Sequence, residues 1–99
     1  MVKTEMKEFL ILRNLNEPIP REAFEAAAGR AIEVTDELTE EGIPIQWLKS
    51  EVRTLPDGDV TGTFCRFRAE NEAAIYAHGD RAGLPVTRVD RYGSTFEID

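Results

Sequence analysis

Between residues 21 and 41 apolar side chains return every three or four positions, as Phe24, Ala27, Ala28, Ala31, Val34 and Leu38. Glu22, Glu25, Arg30, Glu33, Glu37 and Glu40 fill the positions between them, so the spacing predicts a helix with one apolar stripe. Pro20 suits its first turn, and Gly42 and Pro44 end it. Gly29 weakens such a helix by about 1 kcal/mol relative to alanine, which points to a close packing contact there. Ahead of it, residues 9–13 (FLILR) form a short apolar run expected of a strand buried on both faces, and NLNEPIP breaks that pattern. IQWLKSEVRTL and VTGTFCRFRA read as strands around PDGD, a tight-hairpin signal. Asn71 caps a second helix running to about Ala82 and closed by Gly83 and Pro85, and residues 87–98 supply a last strand.

The order βαββαβ predicts an α+β, ferredoxin-like domain: a four-stranded antiparallel sheet with two helices on one face. The whole chain, 1–99, reads as one domain, with loose ends expected at 1–6 and 97–99. Two helices cover only one sheet face. Alternation assigns Leu10, Leu12, Leu48, Val52 and Phe67 to the covered side, and Phe9, Ile11, Trp47, Phe64 and Tyr92 to the other. An uncovered patch of this kind predicts a homodimer with the two sheets face to face.

With Asp57-Gly58 as a two-residue turn, Ser50 pairs with Cys65, Leu48 with Phe67 and Val52 with Thr63 on the covered face. Gln46 shares their parity, while Trp47 meets Arg68 on the far face. On the second helix Ile75, His78 and Ala82 form the inward stripe, with Ala74 beside them. The only histidine and the only cysteine therefore point into one layer with Gln46 and Ser50. The plainer accounts are a small core cysteine and a histidine donating to a backbone carbonyl. Arg66, Arg68, Lys49 and Glu51 read as ion pairs on the open face.

Charge and composition narrow the function classes. With 12 basic against 19 acidic residues the net charge is −7, and no basic cluster interrupts it, so nucleic-acid binding is disfavoured. One cysteine excludes an internal disulfide and fits a reducing, cytoplasmic setting. The apolar run near the start is too short for a signal peptide or a membrane span.

The segments IQWLKSEV, FCRFRAENEAAIYAH and RAGLPVTRV resemble the small nickel-binding proteins otherwise catalogued as a domain of unknown function. The elements carrying the resemblance are Ile45-Gln46-Trp47, Ser50-Glu51-Val52, Phe64-Cys65, Ala69, His78-Gly79 and Gly83-Leu84-Pro85. Glu51 stands where the pattern has tyrosine and Gly79 where it has alanine, and the first helix lacks the cysteine of close relatives. The resemblance implies a ferredoxin-like dimeric α/β barrel and, for some members, bound nickel. It carries over Gln46, Trp47, Ser50, Cys65 and His78 as pocket residues.

Three functions follow as expectations. The first is a non-catalytic protein binding nickel or another transition metal ion through His78 and Cys65, in a pocket between sheet and helices. One cysteine and one histidine make no structural zinc site, so oxygen ligands or a second subunit would have to complete it. The second is a small-molecule binder or enzyme with His78 as general base. The third is a plain dimerisation module.

Overall fold

The computed structural model describes residues 5–98; of the loose ends expected at 1–6 and 97–99, residues 1–4 and 99 lie outside the described residues. The elements are β1 (Lys7–Ile19), α1 (Arg21–Glu40), β2 (Ile45–Thr54), β3 (Val60–Ala69), α2 (Glu72–Ala82) and β4 (Arg88–Arg91). The strands form one antiparallel sheet in the order β2-β3-β1-β4, and the α+β, βαββαβ plan expected of the sequence is the plan observed.

Local signals end the helices where expected. The Asn71 side chain accepts from the Ala74 N–H at 3.1 Å, and Gly83 closes α2 in the left-handed region at φ 72°. Gly29 departs from expectation: a Cβ there would meet nothing within 4 Å, so the helix carries a glycine that no packing contact requires. The outer strands depart as well. β1 runs through NLNEPI to Ile19, although its pairing with β3 shifts between Asn14 and Ile19. β4 has four residues, far fewer than the strand expected over 87–98.

The β2–β3 hairpin contains three irregularities that decide the site. Its loop is one residue longer than a two-residue turn: Leu55 accepts from the Gly58 N–H and donates to the Asp59 carbonyl, both at 2.9 Å, with Gly58 at φ 95°. A shift at Arg53/Thr54 takes up the extra residue, so Ser50 still pairs with Cys65 and Val52 with Thr63. A second shift, with Leu48 as the extra residue, then pairs Trp47 with Phe67 and Gln46 with Arg68. Each such shift moves the following side chains to the opposite face. Trp47 therefore lies on the covered side, Gln46 is exposed, and Leu48 stands at the sheet edge.

The phase of β1 is also the reverse of the one expected. Phe9 and Ile11 are buried in the core opposite Phe67 and Cys65, while Leu10 is 40% exposed. A wholly apolar strand carries no alternation to set its phase; pairing with β3 sets it. The open face thus presents Leu10 and a half-exposed Phe64, with Arg66 and Arg68 gripping Glu8 at 2.9 and 2.8 Å. Hydrogen bonds from Arg68 and then Arg66 hold the Glu8 carboxyl below its ordinary pKa.

Between sheet and helices the core changes character along α1. Val34 and Leu38 pack with Ile45, Ala69, Ala74 and Ile75 in a closed aliphatic cluster. Nearer its start α1 offers Phe24 at the outer side and otherwise only Ala27, Ala28 and Ala31, and there the layer holds a cavity of about 30 Å³.

Candidate functional site

Short side chains on α1 leave that cavity, and its surface is nearly all apolar although several polar residues contribute to its wall. Thr63, Cys65 and Phe67 contribute from β3, Arg13 from β1, Trp47 from β2 and His78 from α2. A cavity of about this volume has room for one or two water molecules. Half-buried Leu15, Ile19, Phe24 and Leu84 stand on the outer side, whereas Arg13, Thr63, Cys65, Phe67 and His78 are buried.

A chain of hydrogen bonds joins three of the expected residues, Trp47, Ser50 and Cys65. The Trp47 indole Nε1–H donates to Ser50 Oγ at 2.7 Å, and the Ser50 hydroxyl donates to Cys65 Sγ at 2.9 Å. Thr63 Oγ1 lies 3.2 Å from the same sulfur. Trp47 also stacks on Phe67, with centroids 5.6 Å apart and planes 10° from parallel. Trp47, Ser50, Cys65 and His78 thus belong to the layer between sheet and helices. Gln46 does not: its Oε1 accepts from Arg68 Nη1 at 3.3 Å on the exposed side.

His78 has no solvent exposure, and both ring nitrogens are engaged. Nε2 is 2.9 Å from the Ala31 carbonyl, which can only accept, so Nε2 carries the proton. Nδ1 is then the acceptor facing Arg13 Nη2 at 3.5 Å. The Phe67 ring meets the imidazole edge-on at 5.0 Å. Burial lowers the His78 pKa below its ordinary 6.5; the Ala31 bond opposes this, and the Arg13 charge adds to it. The imidazole is therefore neutral and fixed in one tautomer.

Sequence reasoning missed Arg13. It is 3% exposed, donates from Nη1 to the Pro85 carbonyl at 3.0 Å, and lies 5.7 Å from the Phe67 ring centroid. Among the described residues no Asp or Glu forms an ion pair with it. Once pairing with β3 turns Phe9 and Ile11 inward, the strand's period of two carries the same face to Arg13; the apolar run itself leaves that phase open. Two glycines make its seat. A side chain at Gly62 would collide with the Arg13 carbonyl and with Arg53, whose Nη2 donates to that carbonyl at 2.9 Å. A Cβ on Gly79 would sit 2.6 Å from Val86 Cγ2 and 3.4 Å from Arg13 Nη1.

The donor set fits a metal ion poorly. No three His, Cys, Asp or Glu side chains come together among the described residues. His78 spends its proton-bearing nitrogen on a carbonyl, and a cation at Nδ1 would face a guanidinium. His78 Nδ1 and Cys65 Sγ remain the two donors a soft metal would use, and both residues contribute to the cavity wall.

The fold and its interlayer cavity define a ferredoxin-like α+β domain with a small pocket under the helices. A family model described as nickel responsive protein SCO4226-like matches residues 9–91, and the chain belongs to that family. The crystal structure of SCO4226 from Streptomyces coelicolor A3(2) superposes with a TM-score of 0.69 at 10% identity, covering 90% of this chain and 99% of that one. At that identity the likeness is one of fold. A structure from Burkholderia cenocepacia described as an amidohydrolase/peptidase aligns at 15% identity and a TM-score of 0.46, over 89% of this chain and 27% of that one, too loosely to carry an argument. Comparison with curated proteins returns no match. Among the described residues no helix is long and apolar enough to cross a membrane.

Proposed function

We propose that this member of the nickel-responsive family is a non-catalytic, homodimeric binding protein that takes a small ligand in its interlayer cavity. One observation carries the reading: a cavity of about 30 Å³ with a nearly all-apolar surface opens in the core beside the buried side chains of Arg13, Thr63, Cys65 and His78. Trp47, Cys65, His78 and Arg13 line the space the ligand takes, and Ser50 stands behind Cys65, to whose sulfur it donates. Catalysis by His78 is disfavoured because Nε2–H is held by Ala31 and Nδ1 faces Arg13. Cys65 accepts from Ser50 and has no base other than His78 among the cavity residues.

The homodimer draws support from the open sheet face. Leu10 and Phe64 form its apolar part, and Glu8, Arg66 and Arg68 place both charge signs beside it, which suits a two-fold contact with itself. Beyond β4 the extended tail carries Phe96 and Ile98, each more than 85% exposed, as further apolar surface for a second copy. A reducing, cytoplasmic setting fits the free thiol of Cys65.

A second reading, Ni²⁺ held by His78 and Cys65, is favoured by their sharing one cavity, but it must move the Arg13 guanidinium and recruit further donors. The test is a fragment survey of anions, cations and neutral molecules by ¹H–¹⁵N NMR, with Ni²⁺ titrated in parallel into wild type, His78→Gln and Cys65→Ser. The expected result is saturable shifts at Thr63, Cys65 and Phe67 with an organic fragment. Saturable Ni²⁺ binding lost in both variants, with no fragment bound, would replace this reading by the second.

A further inference from the structure

Among the described residues Arg13 is buried without an acid. Arginine is almost never withdrawn from water unless paired, because removing its charge from solvent is costly and neutral acceptors do not cancel that charge. Its recorded partners, the Pro85 carbonyl, the neutral His78 ring and the Phe67 face, supply hydrogen bonding and some π attraction but no negative charge. They engage two of the five guanidinium N–H groups by hydrogen bonds. The same residue lines the cavity, whose surface is otherwise nearly all apolar, so the uncompensated charge lies beside unfilled space.

Resting on the ligand-pocket reading, we infer that the cavity receives a short-chain monocarboxylate, its carboxylate on Arg13 and its hydrocarbon end toward Leu15, Ile19 and Phe24. The geometry supports each half. A planar guanidinium is the side chain best matched to a carboxylate. The cavity has room for the two carboxylate oxygens, and the hydrocarbon end lies at its mouth, where Leu15, Ile19 and Phe24 are apolar and only half-buried. His78 acts as a positioning residue: its Nε2–H bond to Ala31 fixes the neutral tautomer whose Nδ1 faces Arg13. A divalent cation is the wrong charge for this site, and the donor set agrees with that.

The experiment compares sodium propionate, propan-1-ol and sodium chloride as probes, by calorimetry on wild type, Arg13→Met and Ala28→Leu. Propionate is expected to saturate and to bind about thirtyfold or more tightly than propan-1-ol, the advantage vanishing in Arg13→Met. Ala28→Leu, which fills the cavity without touching the charge, should weaken propionate; it keeps the test usable if Arg13→Met fails to fold. Equal binding of propionate and propan-1-ol, both blocked by Ala28→Leu, overturns the carboxylate assignment and leaves the pocket standing. Chloride binding as tightly as propionate overturns the apolar half. Silence from both organic probes overturns the inference, and the fragment survey then decides the pocket separately.

Discussion

Two ends of one layer lie under the same helices and are built to different rules. At the far end of α1, Val34 and Leu38 close against Ile45, Ala69, Ala74 and Ile75 with no exposed surface of consequence. At its near end Ala27, Ala28 and Ala31 stand back from Arg13, Thr63, Cys65 and His78, and space remains. The closed end supplies stability through dispersion and burial. The open end gives up packing and buries a cation, a fixed imidazole and a thiol instead. A helix that trades Leu and Val for Ala over two turns therefore separates the part of the core that holds the fold from the part available for binding.

The largest expected effect is at the closed end. Leu38→Ala should destabilise by about 2–5 kcal/mol in denaturant unfolding, since the buried side chain leaves a hole that its neighbours cannot fill. A much smaller loss would mean the two ends are not packed differently. Next, Gly79→Ala should destabilise by about 1–3 kcal/mol, because the new methyl meets Val86 Cγ2 at 2.6 Å and the Leu84 carbonyl at 3.0 Å. The loss should come from the turn after α2, since the Arg13 guanidinium is 3.4 Å from the new methyl and is not forced to move.

The open end should also be the acid-sensitive one. The folded pKa of His78 lies below its unfolded value of 6.5, so as pH falls the unfolded chain takes up this proton first. The stability contributed by neutral His78 is complete above pH 6.5 and declines below it, by at most about 1.4 kcal/mol per pH unit. His78→Gln can donate to Ala31 and accept from Arg13 without titrating, so the difference between the two urea-midpoint profiles isolates this slope. Parallel profiles would contradict the buried neutral imidazole. The smallest effect sharpens the comparison from outside both ends: Gly29→Ala, with open space around its Cβ, should stabilise by about 0.5–1 kcal/mol.

How much of this was legible follows from which elements carry a pattern. α1 and α2 alternate in helical period and end in Gly42/Pro44 and Gly83/Pro85, so their inward faces, His78 included, were readable. Ser50 opposite Cys65 was readable as well, though only because the longer loop and the shift at Arg53/Thr54 cancel. Trp47 and Gln46 exchanged faces at Leu48, a bulge with no glycine or proline to announce it. β1 exchanged faces because FLIL is apolar at every position, and the error hid Arg13, the residue on which the ligand chemistry turns. Side-chain phase in a uniform strand is set by its neighbours, and no local reading recovers it.

The most direct measurement is a ¹H–¹⁵N NMR titration of the ¹⁵N-labelled protein with sodium propionate, following backbone amides at both ends of the layer. The account predicts saturable shifts at Ala31, Thr63, Cys65 and Phe67 and unmoved signals at Leu38, Ile45 and Ile75. Shifts spread evenly over both groups, or confined to the closed end, would contradict it.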